Sequence, residues 1–151
     1  MLAVIRIRGN VGRRQDLKDA LDIMGLSKPN TCVIIPDSPE SKGIVKKVKD
    51  SVSFGKIDVD TLTKILRKRG RLEGNRRLTD ETVKETGYDT IEKLSMDLFE
   101  RKVKIRNVPK LKPVFRFSPP SKGFKSVKQN HPRGDLGNKG ASIIGLIERM
   151  I

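Results

Sequence analysis

Cysteine is nearly absent from this chain. Cys32 is the only one in 151 residues, so no internal disulfide can form. It lies in the apolar run CVII and reads as a buried structural thiol. Histidine is just as scarce: His131 stands alone, and one histidine with one cysteine cannot assemble the usual Cys/His zinc site. There is no Trp and a single Tyr, which leaves a modest, largely aliphatic core. No run approaches the roughly 18 apolar residues of a membrane-crossing helix. The opening MLAVIRIRG has too few apolar residues before its first arginine to read as a secretory signal. The expectation is a soluble, cytoplasmic protein without membrane, metal or cofactor. Catalytic constellations are missing too. No serine or cysteine sits in a nucleophile motif, and Asp16, Asp19 and Asp22 recur every three residues on the solvent side of a helix rather than as a catalytic pair. We therefore read no enzyme.

The most telling absence is acidic. Residues 101–134 contain no Asp or Glu, yet they carry eleven of the 33 lysines and arginines. The whole chain has 18 acids, a formal net charge of +15 and a pI near 10.3. Outside 101–134, basic residues only modestly outnumber acidic ones. A fold with such an excess repels itself, so the balance points to a polyanionic partner. The segment also holds Pro109, Pro113, Pro119, Pro120 and Pro132, which keep it extended and mostly loop. It reads as the strongest nucleic-acid signal in the chain, because each cation near a phosphate releases counterions.

The first 55 residues alternate strand and helix. In LAVIRIR, Ala3, Ile5 and Ile7 share one face, and Val4, Arg6 and Arg8 share the other. Leu17, Ala20, Leu21 and Met24 then recur at helical spacing, and Gly25 stops the helix. TCVIIP is a short apolar strand. Ser38 caps a second helix with Pro39 at its first position and Ile44, Val45 and Val48 as its stripe. SVSF is a third strand. This β-α-β-α-β pattern predicts helices packed on one sheet face. Further helices are expected from Asp58 or Asp60, from Thr79, and from a capping box at Asp89 and Glu92. A closing helix is read in ASIIGLIERMI. The division expected is a core at 1–57 and an extension at 58–151, the latter with short helices, the basic loop 101–134 and the closing helix.

Candidate RNA contacts follow from these placements. Arg13 and Arg14 flank the turn GNVG before the first helix, where free N–H groups could hold a phosphate. Lys42, Lys46 and Lys49 are read as one line on the second helix. Lys64, Arg67, Lys68 and Arg71 form a second basic stripe on the third helix, with Arg76 and Arg77 just beyond. Arg116, Lys122, Lys125, Lys128 and Arg133 lie in the basic segment, with Phe124 and His131 as base-stacking candidates. Lys139 falls in GDLGNKG, which lacks the spacing of a nucleotide-binding loop and reads as a second backbone contact. In FRFSPPSKGF, Phe115 and Phe117 point one way and Arg116 the other. The two phenylalanines are expected to anchor the segment, which is read as a hinge to an RNA-gripping part.

RIRGNVGRRQDLKDALDIMGL followed by NTCVIIPDSPESKGIVKKVKD resembles the L-thirty family of large-subunit ribosomal proteins. The resemblance lies in the turn after the first strand, the helix ending in MGL, the strand ending in IPD and the helix opening SPESKGIVKKV. FRFSPPSKGF and GDLGNKGASIIGLIERM resemble the C-terminal section of the longer archaeal and eukaryotic form. Lys42 stands where that family commonly has an arginine. The resemblance implies an α+β, ferredoxin-like core with a three-stranded sheet. It also implies a structural, non-enzymatic role in the 50S subunit, contacting 23S rRNA with 5S rRNA and other large-subunit proteins nearby. Two other readings stay open: an RNA-binding ribosome-assembly factor, and a small ligand-binding regulatory domain with a basic tail.

Overall fold

The computed structural model describes all 151 residues. The chain begins β1 (Leu2–Arg6), α1 (Gln15–Ile23), β2 (Thr31–Ile35), α2 (Pro39–Lys47) and β3 (Val52–Lys56). It continues with α3 (Val59–Arg69), α4 (Ile91–Phe99), β4 (Val114–Arg116), β5 (Gly137–Asn138) and α5 (Ile143–Met150). The architecture is α+β. β1 lies at the centre, antiparallel to both β2 and β3, with Val4 opposite Val33 on one side and Phe54 on the other.

The sheet has five strands in the order β4-β2-β1-β3-β5, not the three expected. The proline-rich segment supplies β4, antiparallel to β2, with Phe115 opposite Cys32. The glycine-rich turn supplies β5, parallel to β3. Both additions cover edges that would otherwise expose a row of unpaired backbone groups. Val114–Arg116 is thus an edge strand of the sheet, so this stretch is built into the core fold rather than acting as a hinge.

Helices cover both faces, where one was expected. Val4, Val33 and Val52 pack against Leu21, Met24, Leu26, Val45 and Val48 from α1 and α2 and the turns that follow them. Ala3, Ile5, Cys32 and Ile34 join a larger cluster with Leu62, Ile65, Leu66, Leu94, Leu98, Ile147 and Met150. The period-two alternation in β1 therefore sorts side chains between two cores. Phe115 and Phe117 are both buried in the larger one, as anchors should be. Cys32 is fully buried, and that burial pushes its thiol well above the ordinary range. At Gly55 an added Cβ would lie 2.1 Å from the carbonyl oxygen of Gly140. Bare backbone on β3 is what lets the entry to α5 seat there.

Local signals were partly displaced. Ser38 caps α2 as expected, its hydroxyl accepting from the Ser41 N–H at 3.2 Å. Thr90, not Asp89, caps α4 through the Lys93 N–H. The helix expected from Thr79 is only a 3-10 turn at Thr82–Thr86, ended by Gly87 in the left-handed region. Ile44 is exposed, because α2 turns only Val45 fully inward.

GDLGNKG is an internal brace. Gly134, Asp135, Leu136 and Gly137 are buried, and Asp135 pairs with Lys139 at 2.5 Å with both side chains almost fully enclosed. Asp135 also accepts from the Lys125 N–H at 2.6 Å. Burial by itself pushes the pKa of this carboxyl up. The hydrogen bonds from Lys139 and Lys125 and the nearby cations outweigh it, and the net direction is below the ordinary value.

Two outcomes follow. A chain ending at residue 57 keeps three strands and two helices but uncovers Ala3, Ile5, Cys32 and Ile34. It should bind the dye ANS and aggregate, and a monomeric fragment with a cooperative melt would contradict this. Lys139→Met leaves a buried carboxylate short of its cation and should cost about 3–5 kcal/mol by denaturant titration. Because the folded Asp135 value is depressed, the pair's contribution is complete above the ordinary carboxylate range. It fades as pH falls through the depressed value, so Lys139→Met should flatten the acid limb of the stability curve.

Candidate nucleic-acid interface

The sheet has two ends, and they differ in charge. At one end β1 finishes with Arg6, β2 and β3 begin, and β4 finishes with Arg116, which lies opposite Thr31. Three connections meet there: residues 7–14, 24–30 and 48–51. The Ser51 carbonyl accepts from the N–H groups of Ile7 and Arg8, and the Asn30 N–H donates to the Arg6 carbonyl at 2.8 Å.

Arg6 fixes this end. It is fully buried and has no carboxylate partner. Its guanidinium donates to the carbonyls of Arg8 and Leu26 and to the Asn10 side chain, while burial lowers its pKa. Periodicity put Arg6 on the same strand face as Val4 and Arg8 without marking it as buried. The available signal was its alternation with Val4, on the face that α1 and α2 must cover.

The candidate residues separate on this frame. Arg13 reaches from the GNVG loop to the Asp50 carbonyl at 3.1 Å, next to Lys49. Lys49 lies beyond the end of α2, so Lys42, Lys46 and Lys49 do not form one helical line. Arg14 makes an exposed pair with Asp16. Lys46 and Lys49 are exposed and unpaired. Lys42 sits at the opposite end of the sheet, drawn to Asp37 at 2.7 Å. The hydrogen bond and charge of Lys42 hold that carboxyl below its usual range. Val11, at the tip of the GNVG loop, is 98% exposed.

In the C-terminal segment Arg116 is exposed on β4, opposite the buried Phe115. Lys122, Lys128, His131 and Arg133 are exposed, and their side chains join no ion pair or hydrogen bond within the protein. The Lys125 ammonium donates to the Pro132 carbonyl. Phe124 is half-buried and packs against the larger core, which removes much of the face a stacked base would need. Lys139 is withdrawn from the candidate surface, because its ammonium is enclosed with Asp135. On α3, Lys64 and Arg67 pair with Glu148 and Glu92, and beyond it Arg76 pairs with Glu85. Lys68, Arg71 and Arg77 stay unpaired. Lys28 and Lys112, which the sequence reading did not single out, are also unpaired and lie beside Arg71 and Arg116.

No cluster of three or more His, Cys, Asp or Glu residues could hold a metal ion. No helix is long and apolar enough to cross a membrane. The site offers cations, backbone N–H groups and hydroxyls on a rigid frame, a donor set suited to phosphate oxygens.

Comparison with known proteins accounts for the combination. The pattern of the family Ribosomal protein L30p/L7e matches residues 2–52, from β1 to the first residue of β3. The chain is 48% identical over 151 residues to the large ribosomal subunit protein uL30 of Archaeoglobus fulgidus, covering 99% of both chains. It is 44% identical over 152 residues to that of Methanocella arvoryzae, again covering 99% of both. It is 39% identical over 153 residues to that of Methanosphaera stadtmanae, covering 100% of both. With the match running through the helical extension and the basic C-terminal third as well as the first 52 residues, the chain belongs to the uL30 family of large ribosomal subunit proteins.

Proposed function

We propose that this protein is a structural, non-enzymatic constituent of the large subunit of the cytoplasmic ribosome. It binds 23S rRNA, with 5S rRNA and neighbouring subunit proteins close by, through phosphate and shape contacts. Full-length membership of the uL30 family supports the ribosomal role. The observation that carries RNA binding is the set of cations with no protein partner at one end of the sheet and along 122–133. Their mutual repulsion has no internal compensation, and a polyanion supplies it. Phosphate contacts dominate this reading, because structured RNA presents shape and backbone more readily than base edges.

Sedimentation of a lysate through high-salt sucrose tests the assignment. The protein should stay with mature 50S particles. Recovery only in precursor particles would make it an assembly factor, and recovery in neither would end both RNA readings. Binding to 23S rRNA transcript should weaken steeply with salt. The triple change Lys122→Gln, Lys128→Gln and Arg133→Gln should reduce the log–log salt slope by roughly 0.7–0.9 for each phosphate left without its cation. An unchanged slope would remove this segment from the interface.

A further inference from the structure

Around β4 lies an open cleft of about 270 Å³. Three separated stretches wall it: Gly25 to Thr31 after α1, Arg71 to Asn75 after α3, and Lys112 to Arg116 at β4. Lys28, Arg71, Lys112 and Arg116 line it, with Ser27, Thr31 and Asn75 between them, and only one of its ten lining residues is hydrophobic. No carboxylate is among them. None of the four cations forms an ion pair, although Arg76 and Lys110, just outside the cleft, both pair with Glu85.

We propose that this cleft is an RNA phosphate clamp, seating a sharply turned stretch of backbone whose phosphates converge on the four cations. The inference rests on the RNA-binding reading above and assigns it a specific place. The first argument is energetic. Four like charges gathered in one concavity oppose folding unless an external anion compensates them. The second is rigidity. The Lys112 N–H donates to the Arg71 carbonyl at 2.9 Å, and the Phe117 N–H to the Asn30 carbonyl at 2.8 Å. Thr31 is paired with Arg116 across the strands, and the buried Arg6 holds Leu26. The walls are therefore bonded to one another, so little ordering cost falls on binding. The third is chemistry. Two guanidiniums offer paired donors and two ammoniums offer point charges, and no carboxylate lines the cleft to repel a phosphate.

The clamp also has an exit. Arg71 is shared with a second hollow lined by Arg67, Lys68, Arg69, Arg77 and Ile151. In that hollow Arg67 is drawn to Glu92, and Arg69 to Ser118 and the Met150 carbonyl, leaving Lys68 and Arg77 unpartnered. A strand leaving the cleft past Arg71 meets them next. Free polyphosphate shares the phosphate chemistry but does not need this track.

The test compares two double variants of the full chain for binding to 23S rRNA transcript across a salt series. Arg71→Gln with Lys112→Gln removes two clamp cations. Lys18→Gln with Lys84→Gln removes two unpaired cations elsewhere. Thermal melts confirm that both variants are folded, since none of the four side chains is buried. The clamp variant should show a salt slope smaller by roughly 1.4–1.8 units, and the control little change. Tripolyphosphate should bind the unsubstituted protein weakly and be displaced by the transcript. Equal effects of the two variants, with salt-dependent binding intact, would overturn the clamp while leaving RNA binding in place. Tight tripolyphosphate binding that the transcript cannot displace would reassign the cleft to a free polyphosphate. Failure of the unsubstituted protein to bind the transcript would end the RNA reading and the clamp with it.

Discussion

The structure depends on the burial of β1 on every side. Its edges are occupied by β2 and β3. Its Ala3 and Ile5 belong to one core and its Val4 to the other. A strand in that position has no face left for a charge, yet it ends in Arg6 with no exposed surface. An isolated buried charge is expensive, and hydrogen bonds to its charged form are the available remedy. Here the acceptors are the carbonyls of Arg8 and Leu26 and the side chain of Asn10. Satisfying one guanidinium therefore ties down two connections, the GNVG loop and the turn after α1. Both carry cations assigned above to RNA. The core and the proposed binding end are joined by a single charge.

Charge in the rest of the molecule divides by partner. Lys139 is enclosed with Asp135 and holds β5 against β3. Lys42 and Lys56 are drawn to Asp37 at the far end of the sheet. Lys64, Arg67, Arg76 and Lys110 pair with acids on neighbouring elements. Such exposed pairs contribute little stability, but they neutralise one part of the surface. Cations without acids of their own include Lys28, Lys49 and Arg116 at the opposite end of the sheet, Lys122, Lys128 and Arg133 in the C-terminal segment, and Lys68 and Arg77 around the end of α3. Net charge alone could not distinguish these two populations. Pairing does, and it separates the cations held by acids from those that contribute unopposed to the excess of +15.

What was legible in the sequence was local. The three core strands, the cap at Ser38, the closing helix and the inward Phe115 and Phe117 all follow from periodicity and capping chemistry over a few residues. What was not legible was long-range. β4 and β5 are three and two residues long, too short for alternation to register, and each exists because an edge strand elsewhere needed a partner. The same blindness concealed Arg6, whose burial depends on helices packing across the sheet. It also made Lys139 look like a surface contact, because its partner Asp135 reads as an ordinary turn residue until the turn is seen to be buried. Lys28, Arg71 and Lys112 lie far apart along the chain, and only the fold sets them side by side.

This placement changes what the basic C-terminal third is for. A proline-rich, acid-free segment on its own would be a flexible tail, and binding RNA would then cost the entropy of ordering it. In this fold the segment is already ordered. β4 is in the sheet, the Ser118 and Ser121 N–H groups donate to the Met150 and Arg149 carbonyls, and the Asp135 N–H donates to the Ser126 carbonyl. Its cations stand on a frame held by the same core that Phe115 and Phe117 enter. An rRNA surface is itself a fixed relief of phosphates, so a rigid array can discriminate by spacing where a tail could only attract. The elements that close the sheet edges are thus the ones that hold the proposed contacts in register.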